Sequence, residues 1–397
     1  MRNRRQRPAA RALRLPREAC RHRRGATRRT PCDAGARRDR LHVGTRLADL
    51  HETHLGALGQ LGRHDVSQGP RGRRADRVLC SDRTGPHFRT GIVMKQAYIV
   101  DALRTPTGRR KGGLAQVHAA DLGGFVLKEL VARNGIPAEE YDDVVFGCVD
   151  TIGPLAGNIA RTCWLAAGLP LTVPGVTVDR QCGSSQQAVH FAAQAVMSGT
   201  QDVVVAGGVQ TMTQIPISSA MTAAEPLGFT DPFSGSIGWR ARFGDAPVSQ
   251  FHAAQRIADH WNLSRETMER YALESHRRAL AAIEGGHFAR EIVPFAGVVH
   301  DETPRKDTTL ARMAALEPLM PGGALTAAVS SQTCDAAAAL LIVSEEALKR
   351  YNLTPRARIH HLSVLGDDPL WMLTAPIPAT RHALKKTGLA LAEIDVV

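Results

Sequence analysis

The chain has 397 residues, 43% of them apolar, and a formal net charge of +12. That is enough apolar material for two or three domains with buried cores, and no apolar run approaches the length needed to cross a bilayer, which excludes a membrane-spanning helix. The charge sits at one end: residues 1–93 hold 23 Arg, no Lys and 8 acidic side chains, a net of +15, leaving a net of −3 for residues 94–397. A faintly acidic body is not built to hold nucleic acid, and only the basic arm could do so.

Residues 1–93 contain one aromatic side chain, Phe88, few β-branched residues and no sustained period. Such a composition buries too little apolar area to offset chain entropy, so disorder is expected. Three readings stand for it: an arm that holds polyanions electrostatically, a targeting presequence, or residues read upstream of the true start. Presequences are shorter and poorer in acidic residues. Arg, Ala, Gly, Pro and His without Lys is what GC-rich DNA yields outside a selected frame. The expected start is therefore Met94, which opens the well-patterned Met94-Lys-Gln-Ala-Tyr-Ile-Val-Asp-Ala.

From Met94 onward β-rich runs alternate with helical patterns, which predicts an α/β architecture. Strands are expected at 97–102, 143–149, 175–178 and 202–206, with helices at 120–134 and 183–197 between them. Residues 211–246 have little periodicity and read as inserted loops with short helices. Amphipathic helices follow at 251–261 and 264–284, the second opening on Ser264 and closing at Gly285-Gly286. The run Ala336-Ala-Ala-Ala-Leu-Leu-Ile-Val-Ser is a buried strand or a buried helix, and period alone leaves both open. A strand at 357–364, a helix at 378–387 and the opening of a strand at Ile394-Asp-Val-Val complete the chain.

The seven cysteines are odd in number and irregular in spacing, with no Cys-x-x-Cys pair. They support neither a disulfide framework nor a zinc site. With no secretory signal, a reducing cytoplasm is the expected compartment. Cys182 stands out, because it falls between a β-branched strand ending near Asp179 and the start of a helix. Free backbone N–H groups and the positive end of a helix macrodipole favour a thiolate at such a place. Gly183 and the small Ser184-Ser185 would let a substrate approach the turn. Local context leaves two readings: a nucleophile, or a buried structural cysteine.

The segment Val178-Asp-Arg-Gln-Cys-Gly-Ser-Ser-Gln-Gln-Ala closely resembles the nucleophile segment of thiolases, the acetyl-CoA acyltransferases. Asp101-Ala-Leu-Arg-Thr-Pro-Thr-Gly is similar to the family's N-terminal signature, and Gly157-Asn-Ile-Ala-Arg with Ala167-Gly-Leu-Pro resembles the run before the nucleophile. Ala206-Gly-Gly-Val-Gln-Thr-Met, Gly286-His-Phe-Ala-Arg-Glu-Ile-Val-Pro-Phe, Asp301-Glu, Leu325-Thr-Ala and the run from Ser330-Ser331-Gln332 to Asp335-Ala-Ala-Ala follow in the family's order.

The resemblance implies a thiolase-like layered α/β fold of two similar halves, stacked helix, sheet, helix, sheet, helix. Residues 94–212 and 331–348 would form the first half, 213–330 the loop domain inserted in it, and 349–397 part of the second half. The implied reaction is 3-ketoacyl-CoA plus CoA to acyl-CoA plus acetyl-CoA, or its reverse, through an acyl-enzyme on Cys182, as in fatty-acid β-oxidation. The Cys182 N–H would contribute to an oxyanion hole. Ser331 lies where the family meets the pantetheine arm of CoA. Arg305 lies where a loop-domain arginine meets the nucleotide end, with a solvated surface charge as the other reading. His252, in Gln250-Phe-His-Ala-Ala, falls in the stretch that lines the acyl tunnel. CoA and acyl-CoA are substrates, so no metal or further cofactor is implied. A homodimer or homotetramer is expected, joined through the first half, with no membrane partner.

The family's Asn-Glu-Ala-Phe, Gly-His-Pro and Cys-x-Gly motifs, which supply a water site, a general base and a second cysteine, do not occur in the sequence. The expectation is a C-terminally truncated thiolase with impaired turnover; the alternative is a non-catalytic binder of CoA thioesters or lipids. No substitute base presents itself. His190 lies eight residues beyond Cys182, about 12 Å along a helix, and reads as packed or surface. His360 and His361 read as surface residues, and Cys334 as structural. The Gln250-Phe segment lacks the His-Met pair of short-chain members and resembles members that take longer or bulkier acyl groups, sterol side chains included.

Overall fold

The computed structural model describes residues 95–396. The expectations for the basic arm and for a start at Met94 fall outside the described residues.

Seven strands form one mixed sheet: β1 (Ala97–Arg104), β2 (Gly108–Arg109), β3 (Asp143–Gly147), β4 (Gly175–Val178), β5 (Val203–Thr211), β6 (Cys334–Ser344) and β7 (Ala357–Arg358). Their order is β4-β3-β5-β6-β1-β7, with β2 paired to β6. β3 runs parallel to β4 and to β5, whereas β6 is antiparallel to both β5 and β1. The alanine-rich run left open between strand and helix is the eleven-residue β6, in the middle of the sheet. Alanine's helix preference yields there to two full hydrogen-bonded ladders. β5 and β6 approach closely: a β-carbon added at Gly207 on β5 would strike the backbone carbonyl of Ala338 on β6.

Alternate strand residues feed two cores on opposite faces, as the two-residue period of a strand dictates. One face carries Val144, Phe146, Val205, Leu341 and Val343. It packs α1 (Ala119–Asn134) and α2 (Ile159–Ala166), which bring Leu122, Val126, Leu127, Leu130 and Trp164. Gly124 lets these helices touch, since a β-carbon there would lie 2.9 Å from the Cys163 carbonyl oxygen. The other face carries Val145, Val204, Ala206 and Ile342, covered by α3 (Ser184–Ser198) through Ala188, Ala192, Ala193 and Val196.

The region between β5 and β6 holds α4 (Ile237–Phe243), α5 (Gln250–His260) and α6 (Arg265–Glu284). The last two start where the sequence places them because Ser249 and Ser264 cap them, accepting from the backbone N–H of Phe251 and Thr267 at 3.2 Å each. Both ends of this excursion are pinned at one carboxylate. Asp335 is fully buried and accepts from the Thr213 backbone N–H (2.8 Å) and its hydroxyl (2.6 Å). Asp150 adds a second tie, accepting from the N–H groups of Ser218 and Ala220.

Beyond β6 come α7 (Glu345–Arg350), β7 and α8 (Pro376–Thr387). The strand expected over 357–364 shrinks to the two residues of β7. They pair with Tyr98 and Ile99, Ile359 N–H still reaches Ala97 O, and β1 then ends, so residues 360–364 have no ladder to join among the described residues. The strand opening expected at Ile394 is also corrected. Leu391–Glu393 is a single 3-10 turn, and Ile394 to Val396 join no ladder among the described residues.

Candidate active site

The segment from β4 to α3 forms a tight turn with Cys182 at its outer corner. Asp179 Oδ1 accepts from the Gln181 N–H at 2.8 Å, and Gln181 takes the left-handed conformation, φ 48°. Ser184 closes the turn: its hydroxyl accepts from the Arg180 N–H at 2.8 Å and donates to the Gln181 carbonyl. The Gly183 N–H donates to the Arg180 carbonyl, 3.1 Å away. Cys182 is exposed, one residue before the N-cap of a fifteen-residue helix whose positive end it faces. The buried-structural reading of this cysteine is thereby corrected.

Two glycines set the height of the turn above the sheet. A β-carbon at Gly147, the last residue of β3, would run into the Ser185 backbone nitrogen; one at Gly208 on β5 would run into the Ser185 hydroxyl. The start of α3 therefore sits directly against the end of β3 and the middle of its parallel neighbour β5.

The other described cysteines differ in kind. Burial, then Asp179 and Asp150, push the Cys148 thiol up to about 12. Burial, then Cys148 and Asp121, push Cys163 up to about 12. Cys334, half-buried beside Asp335, is raised as well, chiefly by burial. These three are neutral thiols near neutral pH. Cys182 alone among the described cysteines meets solvent at a helix start, where a thiol can attack a carbonyl carbon.

One side chain from the insertion reaches the sulfur: Gln250 Nε2, on the first residue of α5, is 3.7 Å from Cys182 Sγ. His252 is exposed two residues further on, about 200° around the helix, and no hydrogen bond among the described residues links it to Cys182. Ser331 and Arg305 are exposed, and their loops are neighbours because Gln332 Nε2 donates to the Thr303 carbonyl at 3.1 Å. The Arg305 backbone N–H donates to His276 Nδ1 at 3.3 Å. Neither Ser331 nor Arg305 bonds to the Cys182 turn. His190 is buried on α3, so it is packed rather than on the surface.

Sequence reasoning missed two glutamines. Gln250 was passed over for the more reactive His252 in the same segment. Gln210, on the α3 face of β5, receives the Val149 N–H at 3.0 Å on its Oε1 and keeps a buried Nε2 without a partner among the described residues. Neither carries a sequence signal beyond its motif. Among the described residues no three His, Cys, Asp or Glu side chains are placed to hold a metal ion, and no helix is long and apolar enough to cross a membrane.

A mixed sheet covered on both faces, with an exposed thiol at the head of one covering helix, defines an α/β protein with a candidate cysteine nucleophile. Residues 97–346 match the family model described as thiolase, N-terminal domain. The chain is 57% identical over 314 residues to the steroid 3-ketoacyl-CoA thiolase FadA6 of Mycobacterium tuberculosis, covering 77% of this chain and 76% of that protein. It is 38% identical over 322 residues to the 3-oxoadipyl-CoA/3-oxo-5,6-dehydrosuberyl-CoA thiolase of Escherichia coli, covering 77% and 80%. Among solved structures, the Bacillus anthracis acetyl-CoA acetyltransferase superposes with a TM-score of 0.64 at 32% identity, over 76% of this chain and 79% of that one. The chain belongs to the thiolase family. It is an acyltransferase of the thiolase type with the thiolase fold.

Proposed function

We propose that the chain cleaves or forms 3-ketoacyl-CoA thioesters with Cys182 as the nucleophile. The observation that carries this reading is the exposed Cys182 sulfur at the head of α3, in a turn fixed by Ser184 and seated on Gly147 and Gly208. In the cleavage direction the thiolate adds to the keto carbon of the substrate, and the C2–C3 bond breaks. Its electron pair takes up a proton, so that acetyl-CoA leaves. A CoA thiolate then attacks the Cys182 thioester and releases acyl-CoA, returning the cysteine. The Cys182 N–H is the proposed donor to the oxyanion.

The preferred acyl group is bulky. The steroid thiolase relative supports this, as do Gln250 and Phe251, both exposed where the insertion meets the Cys182 turn. Ser331 is assigned to the pantetheine arm and Arg305 to the nucleotide end of CoA, supported by the link between their loops. His252 is assigned to the acyl tunnel. CoA and its thioesters are the only small molecules this reading requires. A homodimer or homotetramer is proposed, supported by the open edge of β4 with Val176 exposed on it and by the exposed Phe191 on α3. The four free cysteines among the described residues suit a reducing cytoplasm.

The deciding experiment incubates the full chain with a bulky 3-ketoacyl-CoA, without free CoA, and maps acylation by peptide mass spectrometry. An acyl thioester on the Cys182 peptide, absent from Cys182→Ala, is the expected outcome. Acylation elsewhere, or none, sinks the assignment.

A further inference from the structure

Cys182 Sγ has one side-chain hydrogen-bond donor among the described residues, the Gln250 amide at 3.7 Å, within reach for sulfur. We propose that Gln250 is a catalytic residue of this acyltransferase, whose amide N–H donates to the Cys182 sulfur and holds it as the anion that attacks the carbonyl carbon. This rests on Cys182 being the nucleophile. The thiol proton passes to solvent base, and the amide remains neutral throughout.

The helix that carries the amide is anchored. Gln250 opens α5 beside its cap Ser249, and the helix buries Ala253 and Ala258. Gln255 Oε1 accepts the Ala324 N–H at 2.8 Å, and Arg256 donates to the Leu370 carbonyl at 3.1 Å. A backbone fixed at several points delivers its first side chain to a fixed place, which is what a functional donor requires. Once the sulfur is a thiolate, the opposite amide orientation would set the Oε1 lone pairs against its charge, so the anion favours the donor orientation. Both partners are exposed, so solvent moderates the effect.

The test needs no turnover. The full chain, Gln250→Met and Gln250→Glu are alkylated with iodoacetamide at one neutral pH, and modification of each cysteine is timed by peptide mass spectrometry. Methionine keeps the length without the donor; glutamate replaces the donor with a negative charge. Cys182 is expected to react faster than Cys334 in the unaltered chain, several-fold more slowly in Gln250→Met, and about ten-fold or more slowly in Gln250→Glu, where added salt narrows the deficit. Continued protection of the buried Cys148 and Cys163 shows that each variant is folded. Variants that match or exceed the unaltered rate make Gln250 a bystander or a steric lid and overturn the inference, while Cys182 stays the reactive cysteine. A Cys182 no faster than Cys334 in the unaltered chain overturns both the inference and the nucleophile assignment.

Discussion

Arg104 and Asp301 meet through two parallel hydrogen bonds, 2.6 and 3.0 Å long, across 197 positions of sequence. The same guanidinium donates through Nε to Glu291 at 2.8 Å and lies over the Phe288 ring. The Asp301 carboxylate also accepts the Thr107 N–H at 2.7 Å. Arg104 thereby joins the end of β1 to the inserted region, which gives a structural reason for arginine in the Asp101-Ala-Leu-Arg-Thr-Pro motif: only a planar fork serves two carboxylates at once.

Burial alone would raise the Asp301 carboxyl, but the bonds from Arg104 and Thr107 outweigh it and hold it below its ordinary value. The unfolded chain then binds the proton more tightly than the folded one, so the stabilisation is complete above about pH 4 and is lost as pH falls through the folded value. Asp301→Ala is expected to cost roughly 3 kcal/mol near neutrality, because it leaves a half-buried guanidinium short of a partner. Urea unfolding at pH 7 and pH 3 checks this. The gap between variant and unaltered chain should narrow at the lower pH.

Gly147→Ala should be far more damaging than Gly183→Ala. The first drives a methyl group into the Ser185 backbone, whereas the nearest atom to the second is the Arg180 carbonyl oxygen at 3.4 Å. Expected costs are about 1–3 kcal/mol for Gly147→Ala and within roughly 0.5 kcal/mol for Gly183→Ala. Thermal unfolding measures both, and the alkylation rate of Cys182 should fall only in the first.

His190 is lowered from its ordinary value, first by burial and then by Arg180. The unfolded chain takes the proton more readily, so this residue's contribution is complete above about pH 6.5 and declines as pH falls through the folded value. Its Nδ1 also lacks a partner among the described residues. His190→Leu should therefore lie within about 1 kcal/mol of the unaltered chain at pH 8 and gain on it at pH 5. A parallel fall of both stabilities over that range would count against this account.

Asp335→Ala removes both acceptors of Thr213 at the mouth of the insertion. Each charge-assisted bond lost is worth about 1.5–3 kcal/mol. Limited proteolysis should then cut near residues 212–218 at protease levels that leave the unaltered chain whole. An unchanged digestion pattern would show that the insertion is held elsewhere.

Strands β1, β3, β4 and β5 and two of the three helices that cover the sheet, α1 and α3, were legible in the sequence, each helix coupling a period to a closing glycine, Gly135 or Gly199. The two-residue β2 and the eight-residue α2 were not foreseen, being too short to show a period. β6 was legible only as something buried, since its alternatives differ in tertiary pairing and not in pattern. Residues 360–364 have strand composition but no neighbouring strand among the described residues, a fact about where β1 stops. At the site, the strand–Cys–helix arrangement could be read directly. Gln250 could not, because its role depends on a meeting 68 positions away in sequence. Ser331, Arg305 and His252 were placed by resemblance, and helix geometry turns His252 away from the direction Gln250 takes.

The chain leaves the sheet at Thr213 and re-enters it at Asp335, 122 positions later, through one buried carboxylate. Between those ends the insertion touches the sheet's half again, at Glu291 and Asp301 on Arg104 and at Glu302 on Arg109 and Gly113, so it is a series of shorter loops, each with tied ends. The entropy of closing such a loop rises only with the logarithm of its length, about 0.6 kcal/mol for each doubling. Segments that lie between two ties can thus be lengthened, shortened or exchanged without retuning the strands that seat Cys182. A few buried or half-buried carboxylates, Asp335, Asp150 and Asp301, in this way separate the part of the molecule that must stay fixed for the sulfur from the stretches free to change with the acyl group.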